Sequence, residues 1–474
     1  MSGIPTADSA GIPAGTQPPR HHFHPRISGP IHRIRQAPWA LAVLAPATGA
    51  AAALGAVAFH WLADALTRVF CGHTDCASAA RAAHPLIPGL GPYVLFVAPV
   101  IGGMLYGPLI HRFAPGPGGH GLPELMLAAS RADGRVVLRP TLVRALASAV
   151  CIGSGGSLGR TGPIVQLGSA LGSLLTRLAK APQEHNRLLL ACGAAGGVTA
   201  AFDAPLAGAF FAMELILRSY TVESFGAVAF AALGADAVTR TLSGTTVFLD
   251  LPDLAPVDAA DLPPLILLGT AAAVVSVAFT RILYRVEDAC TWAWRGPQWL
   301  RPAAGGLLLG ALLLALPQLH GSGYQVLKTV TDGHYLPGFL LLLLAGKIFA
   351  TSLTLGIGGA GGVLAPSLFI GAALGAAYAD GLRTLLPGVT GPTALYALAG
   401  MAAVFAGSSH TPATAIVFAF ELTGQYMVVL PVMLTVITAT FTARLLFRHT
   451  IHTLKLARRG IILSSPDTRP PSAV

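Results

Sequence analysis

Two glycine-dense breaks, each set between apolar runs, limit what this chain can fold into. The first is Gly153-Ser-Gly-Gly-Ser-Leu-Gly-Arg-Thr-Gly-Pro163, and the second is Gly356-Ile-Gly-Gly-Ala-Gly-Gly-Val-Leu-Ala-Pro366. A shift of 203 positions superimposes them. Gly153, Gly155, Gly156, Gly159, Pro163, Gly168, Ala170, Leu171 and Gly172 then each meet an identical residue. A shift of 207 pairs Pro205, Phe211, Ala212, Glu214 and Leu215 with Pro412, Phe418, Ala419, Glu421 and Leu422. Two blocks recurring in the same order mark an internal duplication. Only 11% of the residues are charged and 53% are hydrophobic, whereas soluble domains carry about 25% charged residues. Uncharged runs at 39–59, 262–280 and 427–443 approach the ~20 helical residues that cross a bilayer core. The chain therefore reads as an all-α integral membrane protein; no segment shows the alternating rhythm of an outer-membrane barrel. Inside a bilayer, irregular backbone is tolerated only where protein or a water-filled cavity surrounds it. A helix that restarts after such a break exposes free N–H groups and its positive dipole end, which attract an anion. Duplicated halves with interrupted apolar segments place a transporter's site at the repeat interface.

The net charge of +10 is concentrated at the two ends and is no nucleic-acid footprint. Arg20, Arg26, Arg33 and Arg35 lie in the N-terminal arm, and Arg444, Arg448, Lys455, Arg458 and Arg459 lie near the C-terminus. The positive-inside tendency puts both ends in the cytoplasm. The expected organisation is a disordered basic arm (1–37), a first membrane repeat (38–249), a connector (250–264), a second membrane repeat (265–447) and a cytoplasmic tail (448–474). Within the first repeat, a long helix runs from 39 to about 70 and a second span covers 92–110. A glycine- and proline-rich break follows at 117–124, and later an apolar segment, 193–217, carries Pro205 and Glu214. Cys151, Cys192 and Cys290 are scattered and read as small apolar core residues. Cys71 and Cys76 fall outside by the orientation argument, and spacing alone leaves open whether they are bonded.

Four blocks resemble the CLC family of chloride channels and proton-coupled chloride transporters: Gly119-His-Gly-Leu-Pro-Glu124, Gly159-Arg-Thr-Gly-Pro163, Gly362-Val-Leu-Ala-Pro366 and Ile451-His-Thr-Leu-Lys455. The resemblance implies an antiparallel internal repeat of tilted and re-entrant helices, a homodimer with one pore per subunit, and dehydrated anions held by helix N-termini. Carried over residue by residue, it implies an anion site at Gly119, His120, Gly121, Arg160, Thr161, Gly162, Val363, Leu364 and His452. With the sequence running to Val474, it also leads to the expectation that the cytoplasmic regulatory pair of many relatives is missing. The departures matter as much. Thr161 stands where the family usually has a glutamate that gates the pore and carries the proton, and threonine cannot ionise. Leu215 stands where coupled transporters commonly have an inner relay glutamate. Glu214 and its repeat mate Glu421 then read as structural. His120 and His452 replace a serine and a tyrosine that usually coordinate the central anion. A neutral imidazole offers one donor and a protonated one offers two with a charge. The pair would thus form a clamp that tightens as pH falls.

Enzyme readings fail on motifs. No βαβ pattern surrounds the glycine runs, no Gly-Lys-Ser/Thr phosphate loop occurs, and no HExxH zinc motif is present. No cofactor and no metal is expected. The partners implied are chloride or a similar small anion, a second copy of the chain and membrane lipid, with no nucleic acid. The expected function is passive chloride conduction across the cell's inner membrane, through a pore lacking its usual acidic plug. The alternatives are chloride/proton antiport through a histidine relay, and transport of another small anion.

Overall fold

The computed structural model describes residues 38–73, 76, 88–114, 121–131, 134–244, 261–385 and 391–461. The expected arm (1–37), most of the connector, Gly119 and His120, and the tail beyond 461 lie outside the described residues.

The helices fall into two matched series. The first runs α1 (Pro38–Cys71), α2 (Val94–Phe113), α3 (Leu122–Ser130), α4 (Leu138–Gly153), α5 (Thr161–Leu178), α6 (Gln183–Phe202), α7 (Pro205–Phe211) and α8 (Val222–Ser243). The second runs α9 (Leu262–Ala293), α10 (Arg301–Ala315), α11 (Tyr324–Thr331), α12 (Pro337–Gly356), α13 (Leu364–Leu385), α14 (Thr393–Ser409), α15 (Pro412–Thr423) and α16 (Val429–Leu446). A short α17 (Thr453–Arg458) follows. No strand occurs among the described residues; one isolated antiparallel bridge joins Gly159 to Gly362. Helices α1, α2, α8, α9, α12 and α16 are long and apolar enough to cross a membrane. The protein is a multi-pass, all-α membrane protein.

Packing repeats along with sequence. Helix α5 lies on α6 as α13 lies on α14, and α1 lies on α8 as α9 lies on α16. Across the halves, α2 meets its own mate α10 and α7 meets α15. Small residues allow these approaches, since lipid-embedded helices associate by close packing rather than by escape from water. A Cβ on Gly168 would run into the Gly193 carbonyl, and one on Gly371 into the Gly400 carbonyl.

Side chains satisfy the broken backbone reciprocally. The Ser148 hydroxyl of α4 donates to the Ala360 carbonyl at 2.8 Å. Its mate on α12, Thr351, donates to the Ser157 carbonyl at 2.9 Å. Each break thus finds its partners in the other half, as buried backbone groups require. The acidic pair behaves alike. Glu421 accepts from the Leu206 N–H (2.9 Å) and the Ala207 N–H (2.6 Å) at the head of α7. Glu214 accepts from the Ala413 N–H (3.2 Å), the Thr414 N–H (2.9 Å) and the Thr414 hydroxyl (2.7 Å) at the head of α15. These carboxylates cap each other's helices at the positive dipole end.

The segment 193–217, read above as one apolar run, is broken. Asp203 takes a left-handed conformation (φ 55°), and Ala204 is forced out of the helical region (φ −128°, ψ 80°) by the ring of Pro205. The second half repeats the device with His410 (φ 57°) before Pro412. Beyond Phe211 the chain continues as a π-helix, Ala212–Leu217. Cys71 and Cys76 form a disulfide, and the His320 imidazole lies 3.6 Å from the Cys71 sulfur.

Candidate anion site

Helices α4 and α12 end at the two glycine breaks. Gly155 (φ 125°) and Gly358 (φ 98°) occupy matched positions where a side chain would be strained, and they turn the chain. The strands of backbone that follow cross each other. The Gly159 N–H donates to the Gly362 carbonyl at 2.7 Å, and the Gly362 N–H donates to the Gly159 carbonyl at 2.8 Å. Immediately after this crossing α5 and α13 begin, so two helix heads converge. The N–H groups of Thr161, Gly162, Leu364 and Ala365 are first-turn donors with no intrahelical acceptor. The third residue of each helix is a proline, Pro163 or Pro366, which carries no N–H to leave unpaired.

Two cavities of about 260 Å³ flank the crossing. One is lined by Gly121, Gly162, Gly362, Val363 and His452, with Arg301, Lys455 and Arg459 set against the single carboxylate of Glu287, which pairs with Lys455. The other is lined by Asp64, Arg160, His320 and Tyr324. Thr161 stands between Arg160 on one side and Gly162 on the other and is only 2% exposed; its side chain lies against the Tyr324 hydroxyl.

Of the residues named from sequence, Gly121, Gly162, Val363 and His452 share the first cavity. Arg160 lines the second and ion-pairs with Asp64 at 2.7 Å, so its guanidinium is held to α1. Leu364 packs into the main apolar core rather than lining either cavity. Gly119 and His120 lie outside the described residues, so the two-histidine clamp is represented by His452 alone. His452 is buried where α17 begins. Tail residues are pinned around it: the Tyr284 hydroxyl donates to the Ile451 carbonyl at 2.7 Å, Lys455 pairs with Glu287 at 3.3 Å and Arg458 with Asp288 at 2.9 Å.

Sequence reasoning missed Tyr324, Asp64 and Lys347. His60 and Asp64 are one turn apart in a long, mostly apolar helix, and polar residues at such positions are a readable sign of function. Lys347, fully buried on α12, donates to the carbonyls of Leu319 (3.2 Å) and Gly321 (2.8 Å) and lies over the Phe369 ring. It fixes the loop that walls the second cavity.

Burial pushes the His452 imidazole down to about 4. The neutral ring is therefore favoured across the ordinary histidine range, and a nearby anion favours the protonated one. Were chloride to bind beside His452, as the sequence leads one to expect, proton and anion would bind cooperatively, and chloride affinity would be flat above roughly pH 6.5 and rise as pH falls toward about 4. His452→Tyr removes the titrating group and should flatten the curve. Chloride titrations by calorimetry across that range check this, and an unchanged profile in the variant would overturn it.

A family model described as voltage gated chloride channel matches residues 102–444. The chain belongs to the voltage-gated chloride channel family. Among curated relatives, a ClcB-like protein of Ralstonia nicotianae is 35% identical over 86% of this chain and 95% of its own length. The H(+)/Cl(-) exchange transporter ClcA of Vibrio cholerae is 35% identical over 74% of this chain and 76% of its own length. Among solved structures, a slow cyanobacterial Cl-/H+ antiporter aligns with a TM-score of 0.79 at 26% identity, covering 90% of this chain and 99% of that one. A CLC-type fluoride/proton antiporter shares the fold at a TM-score of 0.71 and 23% identity. This voltage-gated chloride channel family member thus keeps the family's fold, with its two helix heads meeting at the Gly159–Gly362 crossing.

Proposed function

We propose that this protein moves chloride passively across the cell's inner membrane, as a transporter of ions rather than an enzyme. The observation that carries the reading is Thr161 at the buried head of α5, between the two cavities. Gating by a tethered carboxylate needs an ionisable side chain there, and threonine supplies none. The anion enters the basic cavity past Arg301, Lys455 and Arg459, which raise its local concentration. It sheds water against the free N–H groups of Gly162 and Leu364 and the His452 ring. It then passes Thr161 and Tyr324 into the cavity beside Arg160 and leaves. Each subunit of a homodimer holds one such pathway, the basic ends facing the cytoplasm.

A second reading is chloride/proton exchange, and the names of the relatives favour it: the Vibrio cholerae protein and the cyanobacterial structure are both exchangers. In this chain the proton would have to pass through a histidine, His120 or His452, since Leu215 replaces the inner relay carboxylate. Reversal potentials separate the two readings. In liposomes carrying a chloride gradient, the passive pathway gives a potential set by chloride alone. A shift in that potential when pH is changed on one side would establish coupling and end the passive reading.

A further inference from the structure

Behind α17 lies another cavity, of about 670 Å³. Helix α17 is the wall between it and the anion pathway. His452, Lys455 and Arg459 line the pathway side, while Thr453, Leu456 and Ala457 line the far side. The lining of the far cavity is basic. Arg218 caps the π-helix after α7, Arg444 lies in the last turn of α16, and Arg448, His410 and His449 complete the cluster. Among the described lining residues Glu214 is the one carboxylate, and its oxygens already receive the Ala413 and Thr414 donors. Three guanidiniums against one carboxylate leave a charge of +2 with both imidazoles neutral. No carboxylate ion-pairs with Arg444 or Arg448 among the described residues; both residues are exposed, and Arg444 donates to the His410 carbonyl at 3.5 Å.

We propose that this cavity binds a phosphate group, carried either by an anionic lipid headgroup or by a soluble phosphate compound. The arginine fork matches two oxygens of a phosphate at once, which a chloride ion does not offer. The space is more than twice that of the pathway cavity, enough for a polyatomic anion. Such a ligand ties Arg218 of the first half to Arg444 and Arg448 of the second, directly behind the helix that follows His452. Its site is separate from the conduction pathway, so the proposal stands or falls independently of passive conduction.

The test uses the full chain in a neutral, phospholipid-free detergent. It is titrated with inorganic pyrophosphate in one arm and with short-chain phosphatidylglycerol in the other, against short-chain phosphatidylcholine as control. Saturable binding of either anionic probe is expected, with affinity falling roughly tenfold or more in Arg444→Gln/Arg448→Gln, the scale of one lost charge-assisted fork. Binding of pyrophosphate alone points to a soluble source, and binding of phosphatidylglycerol alone to a lipid. Chloride flux in phosphatidylcholine vesicles should persist in the variant. Arg448→Gln alone, at an exposed position, serves if the double variant fails to fold, and should weaken binding in the same direction. Equal affinity in wild type and variant, or no binding of either anionic probe, overturns the proposal.

Discussion

Thr161→Glu should cut chloride flux near neutral pH roughly tenfold or more, equivalent to about 1.4 kcal/mol, and make what remains rise as the medium is acidified. The reasoning starts from the donors at the heads of α5 and α13. Those N–H groups stabilise any negative charge placed between them. A carboxylate on residue 161 is tethered within reach, so it competes with chloride at an effective concentration of roughly millimolar or above. At neutral pH the glutamate is ionised and occupies the place the anion must cross. As pH falls toward the ordinary carboxylate value of ~4.3, protonation discharges it and frees the donors, so flux climbs. The measurement is chloride efflux from proteoliposomes over a pH series, with Thr161→Gln as the uncharged control of similar size. If Glu and Gln variants conduct alike at every pH, residue 161 does not stand in the pathway.

Gly362→Val should abolish assembly of the pathway altogether. A Cβ on Gly362 would stand 2.6 Å from the Gly162 nitrogen and 3.1 Å from its Cα, and the obstacle is backbone on both counts. Neither segment can step aside, because the crossing is fixed by the paired Gly159–Gly362 hydrogen bonds. Overpacking a core typically costs about 1–3 kcal/mol. Here the crossing's two hydrogen bonds, ~1 kcal/mol each, and the helix-head geometry go with it. The expected outcome is a loss of the monodisperse peak on size exclusion and of chloride flux. A variant that folds and conducts normally would show that the two breaks need not touch. Gly338→Val on α12, where a Cβ meets nothing within 4 Å, is the control and should behave as wild type.

The duplication made much of this legible. Shifts of 203 and 207 set Gly159 against Gly362 and Glu214 against Glu421; the two glycines do meet, and each glutamate caps a helix head of the opposite half. The starts of α5 and α13, 203 residues apart, follow from the same shift. What stayed hidden has no periodic signature. Asp64 reaches Arg160 from another helix, and Tyr324 reaches Thr161 from the opposite half. The burial of His452 depends on Tyr284 and Glu287 of α9 holding the tail in place. Local pattern reports which face of a helix is apolar; it does not report which distant polar group completes a pair. The interruption at Asp203 was signalled by Pro205, yet an apolar stretch on both sides masked it.

The exchange of carboxylates between α7 and α15 has a consequence for biogenesis. The amides of Leu206 and Ala207 await Glu421, which lies 215 and 214 residues further along. At ~5–20 residues per second, translation delivers that side chain roughly ten seconds or more after the amides leave the ribosome. Through that interval the head of α7 must stay hydrated or borrow an acceptor from the insertion machinery. The first half does not supply this cap itself, so closure of the α7 head waits on synthesis of the second.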